Sequence, residues 1–401
     1  MNGITAGRQA RADFNPCTLQ SMRGPMHAKK FILEISLLEP GDIILTGTKE
    51  PASLGVRAAT ASRYSHAAIW VGDTLIEATL NGVFSKNPQR LLFDRIDDVA
   101  VFRSIGQVPD IGKVCDYARS KTGTLYALAE AITVRGRSAL NMQATRKQFC
   151  SRLVAQAYAS CGFNFINLRH PAFCTPRQLS TCRAFRRQAN MVRLATDDDI
   201  AYSARPDPGI AHQKNTFAWL NRVRDLVQHA AAIPPALRDI QSVNDVSRLL
   251  QVFPEYDDAV SGFVRDSGYL DDYKVDEDIN GWRYDPLALF AVMRNSGDPA
   301  EVVLRELRKE PSLHRKYIEN LFMFLMFATR QPLAYYRLHI ALYVNLITHA
   351  RARTENMCFC ASALCLTNAL LAASMLLRRM DDALRFAREH LPAPSAGPAA
   401  A

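Results

Sequence analysis

A chain of 401 residues is longer than one hydrophobic core usually serves, so two folded units are expected. Its hydrophobic fraction of 48% and aromatic fraction of 9% are an ordinary globular balance, sufficient for packed cores. The formal net charge of +10 suits either an anionic partner such as a lipid surface or simply a soluble arginine-rich exterior, and the absence of interleaved aromatic and basic residues argues against a nucleic-acid partner.

Residues before about Leu33 are polar and irregular and read as a flexible leader, 1–33. Short apolar runs separated by turn residues then predict strands over Asp42–Leu45, Ala67–Val71, Thr74–Ala78 and Val99–Phe102, with Val71-Gly72-Asp73-Thr74 as a tight hairpin. Helical spacing follows over Ile111–Lys121, Leu125–Val134 and Lys147–Ser160, the last closed by Cys161-Gly162 with glycine at a left-handed cap. Two prolines and a glycine in Ser203–Gly209 mark a linker, so the first unit is expected over 34–202. Helical patterns recur through Phe217–His229, Val243–Phe253, Pro286–Met293, Ala300–Leu307, Lys316–Thr329, Ala334–Thr348 and Cys358–Arg388, giving an all-helical unit over 210–390 and a disordered Pro/Ala-rich tail over 391–401. Cys358–Leu377 carries no charge and is long enough to cross a bilayer, but Ser362, Thr367, Asn368 and Ser374 weaken insertion, and a buried central helix is the preferred reading.

Nine cysteines without a repeated C-x-x-C indicate neither a zinc module nor a disulfide framework. Cys358, Cys360 and Cys365 are crowded but lack a fourth ligand, so no metal and no cofactor is expected. The acidic stretch Asp271–Asp278 lacks the glycine of a calcium loop. No apolar segment of a secretory signal stands near the first residue, so a cytoplasmic protein is expected, with peripheral membrane association or signal-less export compatible with it.

One cysteine stands apart. Cys150 in Phe149-Cys150-Ser151-Arg152-Leu153-Val154 falls where a helix begins, and helix-start N–H groups together with a nearby imidazole favour the nucleophilic thiolate. His66 opens an apolar strand, on the face of Ala68 and Trp70, and is the candidate base. Glu77 lies one hairpin away on the next strand, where a carboxylate can fix the imidazole tautomer. Taken singly, each has a plainer reading: a core cysteine, a structural histidine, a strand carboxylate. His170-Pro171, beyond the Cys helix, is a further candidate for lining a cleft.

Together the segments Gly41-Asp42-Ile43-Ile44, His66-Ala67-Ala68-Ile69-Trp70-Val71-Gly72, Ile76-Glu77-Ala78 and the Cys150 segment resemble the papain-like NlpC-type cysteine hydrolases in their circularly permuted YiiX/YebB-like branch, because the Cys segment comes last. The resemblance covers roughly Leu38 to Leu179. It implies an α+β permuted papain-like (NlpC-type) domain with an antiparallel sheet packed on helices, ahead of the all-helical domain. It also implies Cys150 as nucleophile, His66 as base and Glu77 as orienting residue, with Tyr126 and Ser151 in support, Tyr126 being otherwise a core aromatic. Arg152 stands where the ordinary branch has glycine, which leaves the substrate class open. The expected activity is a cysteine hydrolase of amidase or peptidase type working through an acyl-enzyme. The alternatives are a lipid-directed thioesterase or acyltransferase on the same fold, and a catalytically silent interaction protein. The partner is accordingly a peptide, amide or acyl-lipid substrate, and the oligomeric state is left open.

Overall fold

The computed structural model describes residues 29–47, 63–133, 144–163 and 171–391. Six strands form one antiparallel sheet in the order β5-β4-β3-β2-β6-β7. They are β2 (Ile43–Thr46), β3 (His66–Trp70), β4 (Leu75–Thr79), β5 (Gly82–Lys86), β6 (Val99–Ser104) and β7 (Phe185–Arg187), while β1 (Phe31–Leu33) pairs separately with β8 (Val192–Leu194). The last residues of the expected leader are thus a strand, and residues 1–28 lie outside the described residues, as does the tail from 392 onward.

The sheet is buried on both faces, which is why its strands read as continuous apolar runs instead of alternating ones. Ile43, Leu45, Ala67, Ile69 and Ile76 pack against helices α1 (Ile111–Ser120) and α3 (Cys150–Ala159) through Val114, Ala118, Leu153, Val154 and Ala157. On the other face Ile44, Ala68, Trp70, Leu75 and Val101 meet Leu33, Phe93 and Met191. Each such large side chain contributes about 1.5–3 kcal/mol when fully buried. The hairpin at Val71–Thr74 forms as the sequence predicts, with Val71 N–H donating to the Thr74 carbonyl at 3.0 Å and Gly72 at φ 102°. Gly162, at φ 81°, follows the Cys helix as a left-handed cap should.

Two helices are shorter than their apolar spacing predicts. Of the described residues over Leu125–Val134, only α2 (Leu128–Ile132) is helical, because Tyr126 bridges Gln148 in a short parallel pairing: Ala127 N–H donates to the Gln148 carbonyl at 2.7 Å and Gln148 N–H to the Leu125 carbonyl at 2.9 Å. The same pairing holds the chain before Cys150 extended and delays α3 until that residue.

Past α4 (Pro176–Thr181) and α5 (Asp197–Ser203), every further α-helix lies in the C-terminal half among the described residues. The main ones are α6 (Pro208–Gln228), α7 (Val243–Val252), α8 (Asp257–Asp266), α9 (Pro286–Arg294), α10 (Pro299–Arg330), α11 (Ala334–Ala363) and α12 (Thr367–His390). Helix α10 runs unbroken through Pro311, joining two segments that the sequence reading keeps apart. The stretch Cys358–Leu377 is neither a membrane span nor one buried helix. It turns at Leu364–Leu366, with Cys365 at φ 55°, so that α11 and α12 fold back on each other. Among the described residues no helix is long and apolar enough to cross a membrane.

The halves meet along β5. Phe84 stacks on Phe217 at 4.7 Å, and the Gln213 amide completes the strand edge by accepting from Ser85 N–H at 2.5 Å and donating to its carbonyl at 2.9 Å. Arg90 pins the joint between them, lying 4.7 Å over the Tyr202 ring and 3.6 Å from Asp207, whose side chain caps α6. Gly82 is required at this seam. Its φ is 120°, and an added Cβ would sit 2.5 Å from the Phe217 ring and 2.9 Å from the Thr124 carbonyl. Gly82→Ala should therefore lower stability by about 2–4 kcal/mol, read as a drop in melting temperature.

Candidate active site

Cys150 is the first residue of α3, and Phe149 before it offers no side-chain cap, so no capping side chain competes for the N–H groups of the first turn. His66 opens β3, and the two meet at the end of the sheet although α3 packs on the face opposite Ala68 and Trp70. The Cys150 Sγ lies 4.0 Å from the Ser65 carbonyl, one residue before the histidine. Glu77 stands directly across from Ala68 on β4, so it shares His66's face, and its Oε2 is 2.9 Å from His66 Nε2.

The charges of the three groups depend on one another. Burial works against an imidazolium at His66, but hydrogen bonds to Cys150 and Glu77 and the charges of both outweigh it, carrying the ring from 6.5 to about 10. Burial also works against a thiolate, yet the Cys150 thiol is held below its ordinary value by the His66 hydrogen bond and charge, with the backbone N–H groups of Ala67 and Ser151 adding to them. Against its own burial, Glu77 is brought down to about 2 by His66 and then by Lys86. All three shifts run toward the charged forms: thiolate, imidazolium and carboxylate.

Lys86 is a member of this cluster that sequence reasoning missed. Its Nζ lies 3.4 Å from Glu77 Oε1, diagonally across the β4–β5 pair, because Glu77 faces Phe84 and Lys86 is two residues farther on. Gly82–Lys86 ends in polar residues and shows no clean alternation, so the strand that delivers Lys86 is not visible in the pattern.

The remaining candidates divide. Tyr126 lines the cleft with His66 and Glu77, and burial together with the Cys150 charge pushes its phenol up. Ser151 turns its hydroxyl away to donate to the Cys174 carbonyl at 2.8 Å, so what it offers the thiol is its backbone N–H. Arg152 is fully buried and does not line the cleft. Its guanidinium donates to Glu130 Oε2 and the Lys147 carbonyl at 2.7 Å each and to the Ala172 carbonyl at 2.8 Å, and it lies 4.4 Å from the Phe149 ring centre. It clamps the segments on either side of the Cys helix. The Gly41-Asp42 pair is likewise architectural: Asp42 takes two bonds from Arg103 at 2.7 Å, and the Gly41 carbonyl accepts from Tyr158 Oη at 2.6 Å. His170 lies outside the described residues.

The cleft holds about 260 Å³ beside His66 and Glu77. Its wall is largely apolar, built from Ile44, Leu75, Leu91, Phe93 and the more exposed Leu80 and Leu128.

An antiparallel sheet with a cysteine-led helix against it, the histidine strand preceding that helix in the chain, is the permuted papain-like fold. The comparison with known families agrees: residues 37–170 match the model described as permuted papain-like amidase enzyme, YaeF/YiiX, C92 family. That match covers about a third of the chain and contains every one of the five candidate site residues. It is the branch to which the sequence motifs point. No curated protein matches the chain.

Proposed function

We propose that this protein is a cysteine hydrolase in which Cys150 is the nucleophile, His66 the acid and base, and Glu77 the residue that holds the imidazole. The observation that carries the proposal is the 2.9 Å contact of Glu77 with His66 Nε2, which leaves the other ring nitrogen for the thiol. The thiolate attacks the carbonyl carbon of an amide or ester, and the developing oxyanion lies near the N–H groups that begin α3, while the Tyr126 phenol lines the cleft beside His66 and Glu77. His66 gives its proton to the leaving nitrogen or oxygen as the tetrahedral adduct collapses to a thioester on Cys150. It then takes a proton from water, the hydroxide displaces Cys150, and the carboxylic acid product leaves. Lys86 and His66 together keep Glu77 ionised throughout, so the carboxylate orients the ring and does not itself take a proton.

The amidase or peptidase reading follows the family's description. One observation favours the acyl-lipid reading as a second: the cleft wall is mostly hydrocarbon, which suits an apolar acyl group better than a polar peptide. A matched pair of thioester substrates with the same leaving thiol, one carrying a long-chain fatty acyl group and the other a peptidyl group, separates them. The two halves carry separate hydrophobic cores, and we take the boundary to fall at Ala204–Asp207, between α5 and α6.

Glu77→Gln keeps the shape and one acceptor oxygen but loses the charge that supports the imidazolium. Turnover should fall by about ten- to a thousandfold with melting temperature little changed. Full activity in that variant would reduce the site to a Cys–His pair.

A further inference from the structure

A second cavity, of about 250 Å³, shares no lining residue with the cleft and is predominantly polar. It opens where the end of α1, the strand leading into Cys150 and the loop before α7 come together, so both halves of the chain contribute to it. Two of its groups have no polar partner for a side-chain atom: one is half-buried and the other is buried.

The first is Lys121. It makes no ion pair among the described residues, and its Nζ stands 4.6 Å over the Tyr117 ring. Neighbouring Arg146, also in the wall, is already committed to Asp245 at 2.7 Å and to the Asp239 carbonyl at 2.8 Å. Asp245 is in turn saturated by Arg146 and by the Gln241 and Ser242 N–H groups. Burial, with the Arg146 charge adding to it, pushes the Lys121 ammonium down, and the Asp245 charge, already engaged by Arg146, offsets only part of this.

The second is Gln148, only 2% exposed. Its Nε2 donates to Gln156 Oε1 at 3.0 Å and to the Arg146 carbonyl at 3.4 Å. A backbone carbonyl can only accept, so the amide is held in this orientation, and Oε1 is left buried with no donor. Gln156 Oε1 also accepts from Tyr117 Oη at 3.0 Å, which leaves the Gln156 amide nitrogen free to donate.

We propose that this cavity binds inorganic phosphate, with Lys121 and Gln156 donating to its oxygens and Gln148 Oε1 accepting its O–H. The pairing of a lone cation with a lone acceptor selects a ligand that is both an anion and a hydrogen-bond donor, which a protonated phosphate is and sulfate is not. Gln148 lies two residues before Cys150, and its backbone is bonded to both neighbours of Tyr126, so an occupied cavity stiffens the segment that presents the Cys helix.

The test uses the full chain, near neutral pH and at constant ionic strength, with melting temperature and calorimetric binding followed against inorganic phosphate, glycerol phosphate and sulfate. Phosphate should give a saturable rise in melting temperature, with sulfate weaker by at least about tenfold because it brings no proton to Gln148. Inorganic phosphate keeps an O–H in both of its neutral-pH ions, whereas glycerol phosphate, with a second pKa of about 6, is mostly a dianion with none; it should therefore bind more weakly than inorganic phosphate, and the reverse order overturns the proposal. Lys121→Met should abolish the response, and Lys121→Arg should keep most of it, while Cys150 alkylation is unchanged in both. Equal half-saturation for phosphate and sulfate in the wild-type protein overturns the proposal whatever the variants do. So does an unaltered response in Lys121→Met, or the absence of saturable binding.

Discussion

Replacing His66 with alanine is expected to cost nearly as much turnover as replacing Cys150, on the order of a thousandfold or more, because groups that act as a unit are not additive. Each residue sets the other's charge. Without the imidazolium, Cys150 loses the hydrogen bond and charge that hold its thiol low and keeps only the helix-start N–H groups against its burial. The thiol then returns toward or above its ordinary value, and little nucleophile remains at neutral pH. The wild-type rate should be bell-shaped in pH. It rises on the acid side as the Cys150–His66 pair reaches its charged form, and it falls on the alkaline side as His66, raised to about 10, loses the proton that the leaving group needs. His66→Ala should lose the alkaline limb altogether. A His66→Ala enzyme within tenfold of wild type, at unchanged melting temperature, would remove His66 from the reaction.

The largest stability effect is expected at Arg152. Its fully buried guanidinium faces Glu130, which its hydrogen bond holds below the usual carboxylate range against the cost of burial. Arg152→Met takes the guanidinium away from that carboxylate, which still accepts from Thr145, and from the Lys147 and Ala172 carbonyls, and should cost about 3–5 kcal/mol. Adding Glu130→Gln removes the stranded charge and should recover part of the loss, a coupling that denaturant unfolding of the two single variants and the double variant measures. Additive effects would mean that the pair is not what holds the segments flanking the Cys helix.

The three candidate catalytic residues were legible for a physical reason. A helix-start cysteine, a strand-opening histidine and a carboxylate one hairpin away are all fixed by local patterns, and the Val71–Thr74 turn sets the register that puts Glu77 across from Ala68. Lys86 was not legible, since β5 is stabilised by Phe217 and Gln213 from far along the chain and not by its own alternation. The role of Arg152 was hidden similarly. From its place beside Cys150 it suggests a substrate contact, whereas its partners Glu130 and Ala172 are brought to it only by folding. The turn at Leu364–Leu366 carries no glycine or proline to announce it, and the uncharged stretch around it therefore reads as one helix.

Alkylation by iodoacetamide at pH 6, followed cysteine by cysteine, tests the activated thiol most directly. An unperturbed thiol, with a pKa of about 8.5, is almost wholly protonated there. Burial pushes Cys115 up to about 11 and Cys174 well above its ordinary value, so both should be inert, and among the described residues Cys365 is the competitor by exposure. The account predicts that Cys150 is modified first despite its burial, and that His66→Ala abolishes its advantage. If Cys150 reacts no faster than Cys365 at pH 6, or keeps its reactivity without His66, the thiolate–imidazolium pair does not exist and the proposed chemistry falls with it.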